Sequence, residues 1–303
     1  MIGLEKVKEL TVDLIKLGCK VTSCEPMRYH TTFRIGGNAD LFVIPKDRFA
    51  FVKTVNFLED VGIPYVILGN GSNVLFDDEG YDGVVISTQA LKGLRIEGNR
   101  VEAEAGVKIN ELAVTALENS LSGMEKLFGI PGTIGGAVNM NAGSFGLEIG
   151  ELVESVTVLF EGRVFTIGRE NLEFSYRRSN ISENRMKIIS VNFKLVEGDH
   201  LKIKYEMNRY MNLRVENQPI DFPSAGSFFK RPKPDVPVGR IIDEAGLRGY
   251  RVGNAMVSKK HAAFIVNLGS ASSRDVLKLA EIVREKVKFL KGFDLEMEVI
   301  YIG

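Results

Sequence analysis

The sequence predicts an α+β protein: a larger part built from two subdomains, followed by a compact α+β unit at the C-terminus. Three observations carry this. Near the start, two apolar runs at strand length flank a helical pattern, which makes a βαβ unit. In the middle, short apolar runs follow one another through tight turns. After Val196 the character changes, and Pro219, Pro223, Pro232, Pro234 and Pro237 crowd a short stretch that reads as a boundary and a constrained loop. The divisions are therefore 1–28 for a packing helix and lead-in, 29–196 for the two subdomains (about 29–90 and 91–196), and 197–303 for the last unit.

The first helix is expected over 2–17, with Leu4, Val7, Leu10, Leu14 and Leu17 on one face and Gly18 as its C-cap. A strand at 41–45 follows. Asp47 can cap a helix carrying Val52, Val55 and Leu58, and 64–68 is the next strand. This unit delivers residues 69–73 at a strand's C-terminal end, where α/β sheets usually bind ligands. Strands are expected at 83–87, 94–96 and 100–105, a helix at 110–119, then strands at 153–160 and 164–167 joined by Glu161-Gly162-Arg163, and another at 187–195. A polar helix at 201–217 leads into the proline-rich stretch. Beyond it come a helix at 238–245, a strand at 261–268, a helix at 272–290 and a last strand at 294–302. Ser272 and Asp275 can form a capping box, with Val276, Leu279, Val283, Val287 and Leu290 as the buried stripe.

Composition excludes several functions. The 39 basic and 39 acidic side chains balance, so nothing attracts nucleic acid or another polyanion. Charges run through the N-terminal apolar pattern, which fits neither a signal peptide nor a membrane span, and a cytoplasmic location is expected. A chain of 303 residues has core enough to fold without disulfides. Cys19 and Cys24, with four residues between them and no histidine nearby, are a poor zinc pattern and read as reduced, small apolar residues. His30, His200 and His261 lie far apart, so neither a metal cluster nor a Ser-His-Asp triad is indicated, and no metal is expected.

Two loops carry the chemistry. Residues 129–146 read G-I-P-G-T-I-G-G-A-V-N-M-N-A-G-S-F-G without one charged side chain. The glycines let backbone approach a ligand closely, while Thr133, Asn139, Asn141 and Ser144 offer uncharged hydrogen-bond groups. A flat, polar-edged cofactor suits such a surface. The alternative is a structural loop, because Gly, Asn and Ser also mark turns, but ordinary connections are shorter and more polar. The second loop, Gly69-Asn70-Gly71-Ser72-Asn73, lies between two apolar runs, and its consecutive N–H groups can form an anion-binding nest. It has no Walker lysine and lacks the third glycine of the dinucleotide fingerprint. Val74-Leu75-Phe76 reads as strand where a Rossmann turn needs a helix, so this is a phosphate loop of another kind.

Together these loops resemble a known family. Y-H-T-T-F-R-I-G-G-N-A-D at 29–40, I-L-G-N-G-S-N-V-L-F at 67–76 and the 129–146 stretch are similar to the UDP-N-acetylenolpyruvoylglucosamine reductases of peptidoglycan synthesis. F-S-Y-R-R-S at 174–179, A-G-S-F-F-K-R-P at 225–232, H-A-A-F-I-V-N at 261–267 and L-E-M-E-V-I-Y-I-G at 295–303 match the family's remaining motifs, so the resemblance covers nearly the whole chain. It implies a two-subdomain FAD-binding domain of the vanillyl-alcohol-oxidase type at 29–196 and a substrate-binding domain at 197–303. It also implies noncovalent FAD, NADPH as hydride donor, and reduction of UDP-N-acetylglucosamine enolpyruvate to UDP-N-acetylmuramate. Gly69, Asn70, Gly71, Ser72, Asn73, Gly129, Pro131, Gly132, Thr133, Gly135, Gly136, Asn141, Gly143 and Gly146 would hold the cofactor. Tyr176, Arg177, Gly226, Ser227, Lys230 and His261 would meet the substrate.

The implied catalytic residues are Ser227, Arg177 and Glu298. Ser227 lies between a glycine and two aromatics and, read alone, is a turn serine; in the family the matching serine is a proton donor. Arg177 with Arg178 reads alone as a solvated pair; the family makes Arg177 a clamp on the substrate carboxylate, which suits a planar guanidinium. Strand alternation at 295–302 puts Glu298 on one face with Ile300 and Ile302, a setting that would raise its pKa, whereas an exposed edge strand is the alternative. Hydride would pass from the flavin to C3 of the enolpyruvyl group, Arg177 and Glu298 would stabilise the resulting enolate, and Ser227 would protonate C2. Arg231 stands where the family usually has asparagine, and the insertion with a substrate-capping tyrosine is missing, which places the chain with the short form. Another flavin oxidase or dehydrogenase, and a silent nucleotide-binding module, remain as alternatives because the two loops would serve either.

Overall fold

The computed structural model describes residues 2–303. Its first sheet has the order Cys19–Pro26, Asn38–Pro45, Tyr81–Ser87, Tyr65–Leu68, with the first pair antiparallel and the others parallel. Helix Arg48–Asp60 makes the expected crossover; Asp47 accepts the Ala50 N–H at 2.8 Å, and Phe51, Val55 and Leu58 are buried. Strand Cys19–Pro26 was not expected, because C-K-V-T-S-C-E-P alternates too weakly to signal one. It pairs with Asn38–Pro45 along its length, so the lead-in belongs to the first sheet. Cys19 is buried and Cys24 exposed, both as free thiols.

Helix Leu4–Lys16 ends one residue before the expected end, with Leu17 rather than Gly18 as its C-cap and Gly18 following at φ +90°, and it buries Leu10 and Leu14. Leu4, expected on the same face, is 82% exposed, since only the later turns meet the sheet.

The second sheet is antiparallel throughout, with the order Arg163–Gly168, Val153–Phe160, Lys187–Lys194, Arg100–Glu104, Leu94–Glu97. Glu161 and Gly162 turn the hairpin with φ of +48° and +73°. Its apolar face shares one core with the first sheet, in which Phe51, Val84, Val101, Val156 and Phe193 are all buried. Helix His200–Asn217 joins that same core through Ile203 and Met207, although the change in composition at Val196 had grouped it with the C-terminal unit.

The C-terminal unit is an antiparallel sheet in the order Ser224–Ser227, Phe264–Asn267, Ala255–Val257, Arg251–Val252, accompanied by helices Val238–Glu244 and Ser273–Lys291. Ser272 and Asp275 form the expected capping box, and Val276, Leu279, Val283 and Val287 are buried. Leu290 was expected on that stripe but is 49% exposed, because the stripe ends at Val287 and the chain turns away at Gly292. The last strand is shorter than 294–302: only Ile300–Ile302 is strand, parallel to Val74–Phe76 of the first part, with an isolated bridge from Met297 to Phe229. The chain thus ends beside the loop that began its first ligand wall. Phe33, Ile35 and Leu75 enter the core of this unit beside Phe228, Ile265 and Val276.

Candidate active site

A cleft of about 1000 Å³ runs between the two parts. Both loops singled out in the sequence line it. Gly71 has φ +60°, and a Cβ there would lie 2.2 Å from the His30 carbonyl oxygen, so only glycine fits. A Cβ on Gly69 would meet the Thr133 hydroxyl at 2.3 Å, and the Asn70 amide donates to the Pro131 carbonyl at 2.7 Å. The loops therefore make one continuous wall. Asn110 fixes its far end by accepting the Gly129 N–H at 2.7 Å.

Inside the long glycine stretch lies a short helix, Ile134–Asn139, where the sequence suggests loop. Its glycines hide the helical pattern, and burial of Ile134, Ala137 and Val138 decides the conformation instead. Of the residues expected at the cofactor, Gly69, Asn70, Gly71, Ser72, Asn73, Gly129, Pro131, Gly132, Thr133, Gly136 and Gly143 line the cleft. Gly135, Asn141 and Gly146 do not. Gly135 packs against Ala105, Gly146 is an exposed turn residue with φ +78°, and Asn141 is wholly buried behind the wall.

Arg214 lines the same wall, and sequence reasoning missed it. Its guanidinium is buried and donates to the Phe128 and Lys126 carbonyls at 3.1 and 3.4 Å and to Gln218 Oε1 at 3.5 Å, with no carboxylate among its hydrogen-bond partners. Burial lowers its pKa to about 10, so it stays a cation at neutral pH. A buried positive charge without an anion, beside backbone-rich glycine loops, fits the pyrophosphate of a dinucleotide cofactor. On a helix as charged as 200–217, nothing in the sequence sets this arginine apart.

The opposite side holds the reactive groups. Arg177 sits at the tip of the hairpin pairing Phe174 with Ser179, in a left-handed conformation with φ +58°. Its Nε donates to Glu298 Oε1. Arg178 points elsewhere, exposed and 3.8 Å from Glu183. Glu298 is only 9% exposed, and burial pushes its carboxyl above the usual range, with the charges of Arg177 and Lys230 opposing. Its Oε2 is buried with no hydrogen-bond partner.

The seclusion of Glu298 does not come from the isoleucine face expected from strand alternation, since Ile300 is 43% exposed. Residues 296–298 run instead against 228–230: Glu298 N–H donates to the Phe228 carbonyl at 2.8 Å, and Lys230 N–H to the Glu296 carbonyl at 2.9 Å. Asn73 holds the other side, donating to the Glu298 carbonyl at 3.1 Å and accepting the Ile300 N–H at 3.0 Å. Ser227 adjoins this ladder after Gly226, whose φ is +78°; its hydroxyl donates to the Phe229 carbonyl at 3.2 Å and faces the cleft.

His261 and Gly226 also line the cleft. Ala263 N–H donates to His261 Nδ1 at 3.3 Å, which puts the ring proton on Nε2, and burial, helped by Arg248, keeps the ring's pKa below its ordinary value. Tyr176 and Lys230 stand just outside the lining. The Tyr176 ring faces the Arg231 and Arg177 guanidinia at 4.3 and 5.0 Å, and Lys230 pairs with Glu296 at 3.2 Å. Among the described residues, no group of His, Cys, Asp and Glu could hold a metal, and no helix is long and apolar enough to cross a membrane.

Comparison with known proteins decides the family. A model of the UDP-N-acetylenolpyruvoylglucosamine reductase C-terminal domain matches residues 218–302, and one of an FAD binding domain matches 39–168. UDP-N-acetylenolpyruvoylglucosamine reductase of Thermotoga sp. (strain RQ2) is 43% identical over 94% of this chain and 95% of its own. The chain belongs to the UDP-N-acetylenolpyruvoylglucosamine reductase family. The reductase of that name from Streptococcus pneumoniae (strain Hungary19A-6) is 41% identical over 98% of both chains. The crystal structure of the Thermus caldophilus reductase superposes with a TM-score of 0.81 at 34% identity, covering 94% of this chain and 99% of that one. The α+β fold, with an FAD-binding domain and the family's C-terminal domain, is thereby established, as are oxidoreductase chemistry and FAD as cofactor.

Proposed function

We propose that this chain reduces the enolpyruvyl ether of UDP-N-acetylglucosamine to UDP-N-acetylmuramate with NADPH as hydride donor, in cytoplasmic synthesis of peptidoglycan precursors. The observation that carries this reading is the pairing of half-buried Arg177 with buried Glu298, whose free Oε2 lies beside a cleft that Ser227 also lines. Bound FAD supplies the hydride relay between NADPH and C3 of the enolpyruvyl group. Residues 69–73 and the cleft-lining part of 129–143 would hold it by backbone groups, with Arg214 as countercharge to its pyrophosphate.

The remaining chemistry belongs to this chain's own side chains. Arg177 would grip the substrate carboxylate, its planar donors matching that group. As hydride reaches C3, negative charge grows at C2 and on the carboxylate; Arg177 and Glu298 would stabilise it. Ser227 would give its proton to C2, completing saturation of the double bond. It needs no histidine for this, because a proton donor requires position rather than activation as a nucleophile. His261 Nε2–H, Tyr176 and Lys230 would hold the rest of the substrate.

The test begins with the visible spectrum of the purified protein. Expected are a yellow protein that releases FAD on denaturation, bleaching on anaerobic NADPH titration, and recovery of the oxidised spectrum on adding the enolpyruvyl substrate but only slowly with oxygen. Fast reoxidation by oxygen and none by the substrate would point to another flavin oxidase, and a colourless protein that cannot be reconstituted with FAD would overturn the reading.

A further inference from the structure

Asn141 was expected to touch the cofactor, but it is wholly buried outside the cleft, and its bonds run elsewhere. Its amide nitrogen donates to the Ser175 carbonyl at 2.9 Å and to Glu148 Oε2 at 2.6 Å, while its Oδ1 accepts the Gly150 N–H at 3.1 Å. Ser175 is the paired residue directly before the two-residue tip, Tyr176-Arg177, of the hairpin that carries Arg177. The Arg177 guanidinium reaches the Asn141 backbone carbonyl at 3.5 Å, and Ser179, on the other arm, donates its hydroxyl to the Asn139 carbonyl at 2.8 Å. Both arms and the guanidinium of this hairpin are therefore fastened to 139–141, the end of the cleft-lining helix.

The fastening matters because the tip is unfavourable by itself. Arg177 holds φ +58° and Asn141 holds φ +43°, the left-handed region that side chains other than glycine and asparagine rarely take. A two-strand hairpin of two pairs has little stability of its own. Without an external anchor, Arg177 would sample many positions relative to Glu298.

We propose that Asn141 is a positioning residue: by holding the Ser175 carbonyl it sets the register of Arg177 against Glu298, with Glu148 as the acceptor that orients its amide. This rests on the reading of Arg177 as the carboxylate clamp. Only asparagine among residues tolerant of this φ supplies both the donor to Ser175 and the acceptor for Gly150.

Asn141→Asp keeps shape and the Gly150 acceptor, removes the donor to Ser175, and sets a carboxylate against Glu148. Adding Glu148→Gln restores a donor toward residue 141 but leaves the Ser175 carbonyl without one. In the FAD-loaded protein, Asn141→Asp should lower the thermal unfolding midpoint, and the double variant should recover it. Bleaching by NADPH should keep the wild-type rate in both. Reoxidation by the enolpyruvyl substrate should stay about 10- to 100-fold slow in both, with a raised KM for that substrate. Recovery of reoxidation together with the midpoint, or equal loss in both half-reactions, would overturn the proposal and leave Asn141 a folding residue only. If the wild-type protein itself is not reoxidised by the enolpyruvyl substrate, it is the functional reading that has failed.

Discussion

Arg177 and Arg178 are neighbours in sequence with opposite fates, one half-sealed against Glu298 and the other in solvent. Arg177→Lys keeps the charge and loses the fork, so substrate reoxidation should fall about 10- to 100-fold, on the order of 1.4 to 3 kcal/mol, while Arg178→Lys should leave it unchanged. Equal losses in stopped-flow traces of the two variants would remove the clamp assignment. Ser227→Ala and Glu298→Gln should bleach normally with NADPH and reoxidise about 10²- to 10⁴-fold slowly, the range of general acid catalysis. The sign of the pH effect follows from burial. Glu298 has its pKa raised, so its neutral form persists above the pH at which an exposed glutamate ionises, and reoxidation should decline as pH rises through that raised value. Glu298→Gln should lack this limb. Stability moves the same way: ionisation of a buried carboxyl costs the folded state, so the wild-type midpoint should fall relative to Glu298→Gln as pH climbs above the ordinary value of about 4.3. At this scale the family motifs singled out Ser227, Arg177 and Glu298, and the structure places all three on one cleft. Arg214 was hidden, because a cation's burial depends on what packs over its helix, and Asn141 was visible as a residue but not in its direction.

Elements were legible where periodicity and caps agreed, as in helix Ser273–Lys291 with its capping box and helix Arg48–Asp60 with Asp47. They were hidden where tertiary contact overrides local pattern. Strand Cys19–Pro26 exists because Asn38–Pro45 offers an edge, and helix Ile134–Asn139 exists because Ile134, Ala137 and Val138 join the common core while Gly135 packs against Ala105. The glycine walls give an element-scale prediction. Gly71→Ala forces a side chain into a positive φ and against the His30 backbone, so loop 69–73 should shift and the protein should purify with little FAD. Ser272→Ala is the matching control, costing about 1 kcal/mol as a lost cap yet leaving the flavin content intact. Full flavin occupancy in Gly71→Ala, read from the ratio of visible to ultraviolet absorbance, would show that this loop is not part of the cofactor wall.

The whole molecule is less divisible than its sequence suggests. The C-terminal unit takes Phe33, Ile35 and Leu75 from the first part into its core, and strand Ile300–Ile302 pairs with Val74–Phe76 directly after the 69–73 loop. Thr32 donates to the Ser224 carbonyl at 2.7 Å, Asn267 to the Phe33 carbonyl at 3.1 Å, and Asp78 caps helix Ser273–Lys291 by accepting the Ser273 N–H and hydroxyl, each at 2.8 Å. The apolar side chains of Phe33, Ile35 and Leu75, all buried in the core of the C-terminal unit, are the mark of a shared core rather than of a loose domain interface. Chemical denaturation of the FAD-loaded protein should therefore give one transition, with flavin release and loss of the far-ultraviolet helical signal at the same midpoint. A fragment of residues 218–303 alone, lacking those three side chains, should show no cooperative unfolding. Two separated transitions in the intact chain, or a fragment that folds by itself, would mean that the cleft lies between independent bodies and that the pairing of Ile300–Ile302 with Val74–Phe76 contributes little to holding Glu298 beside the cofactor loop.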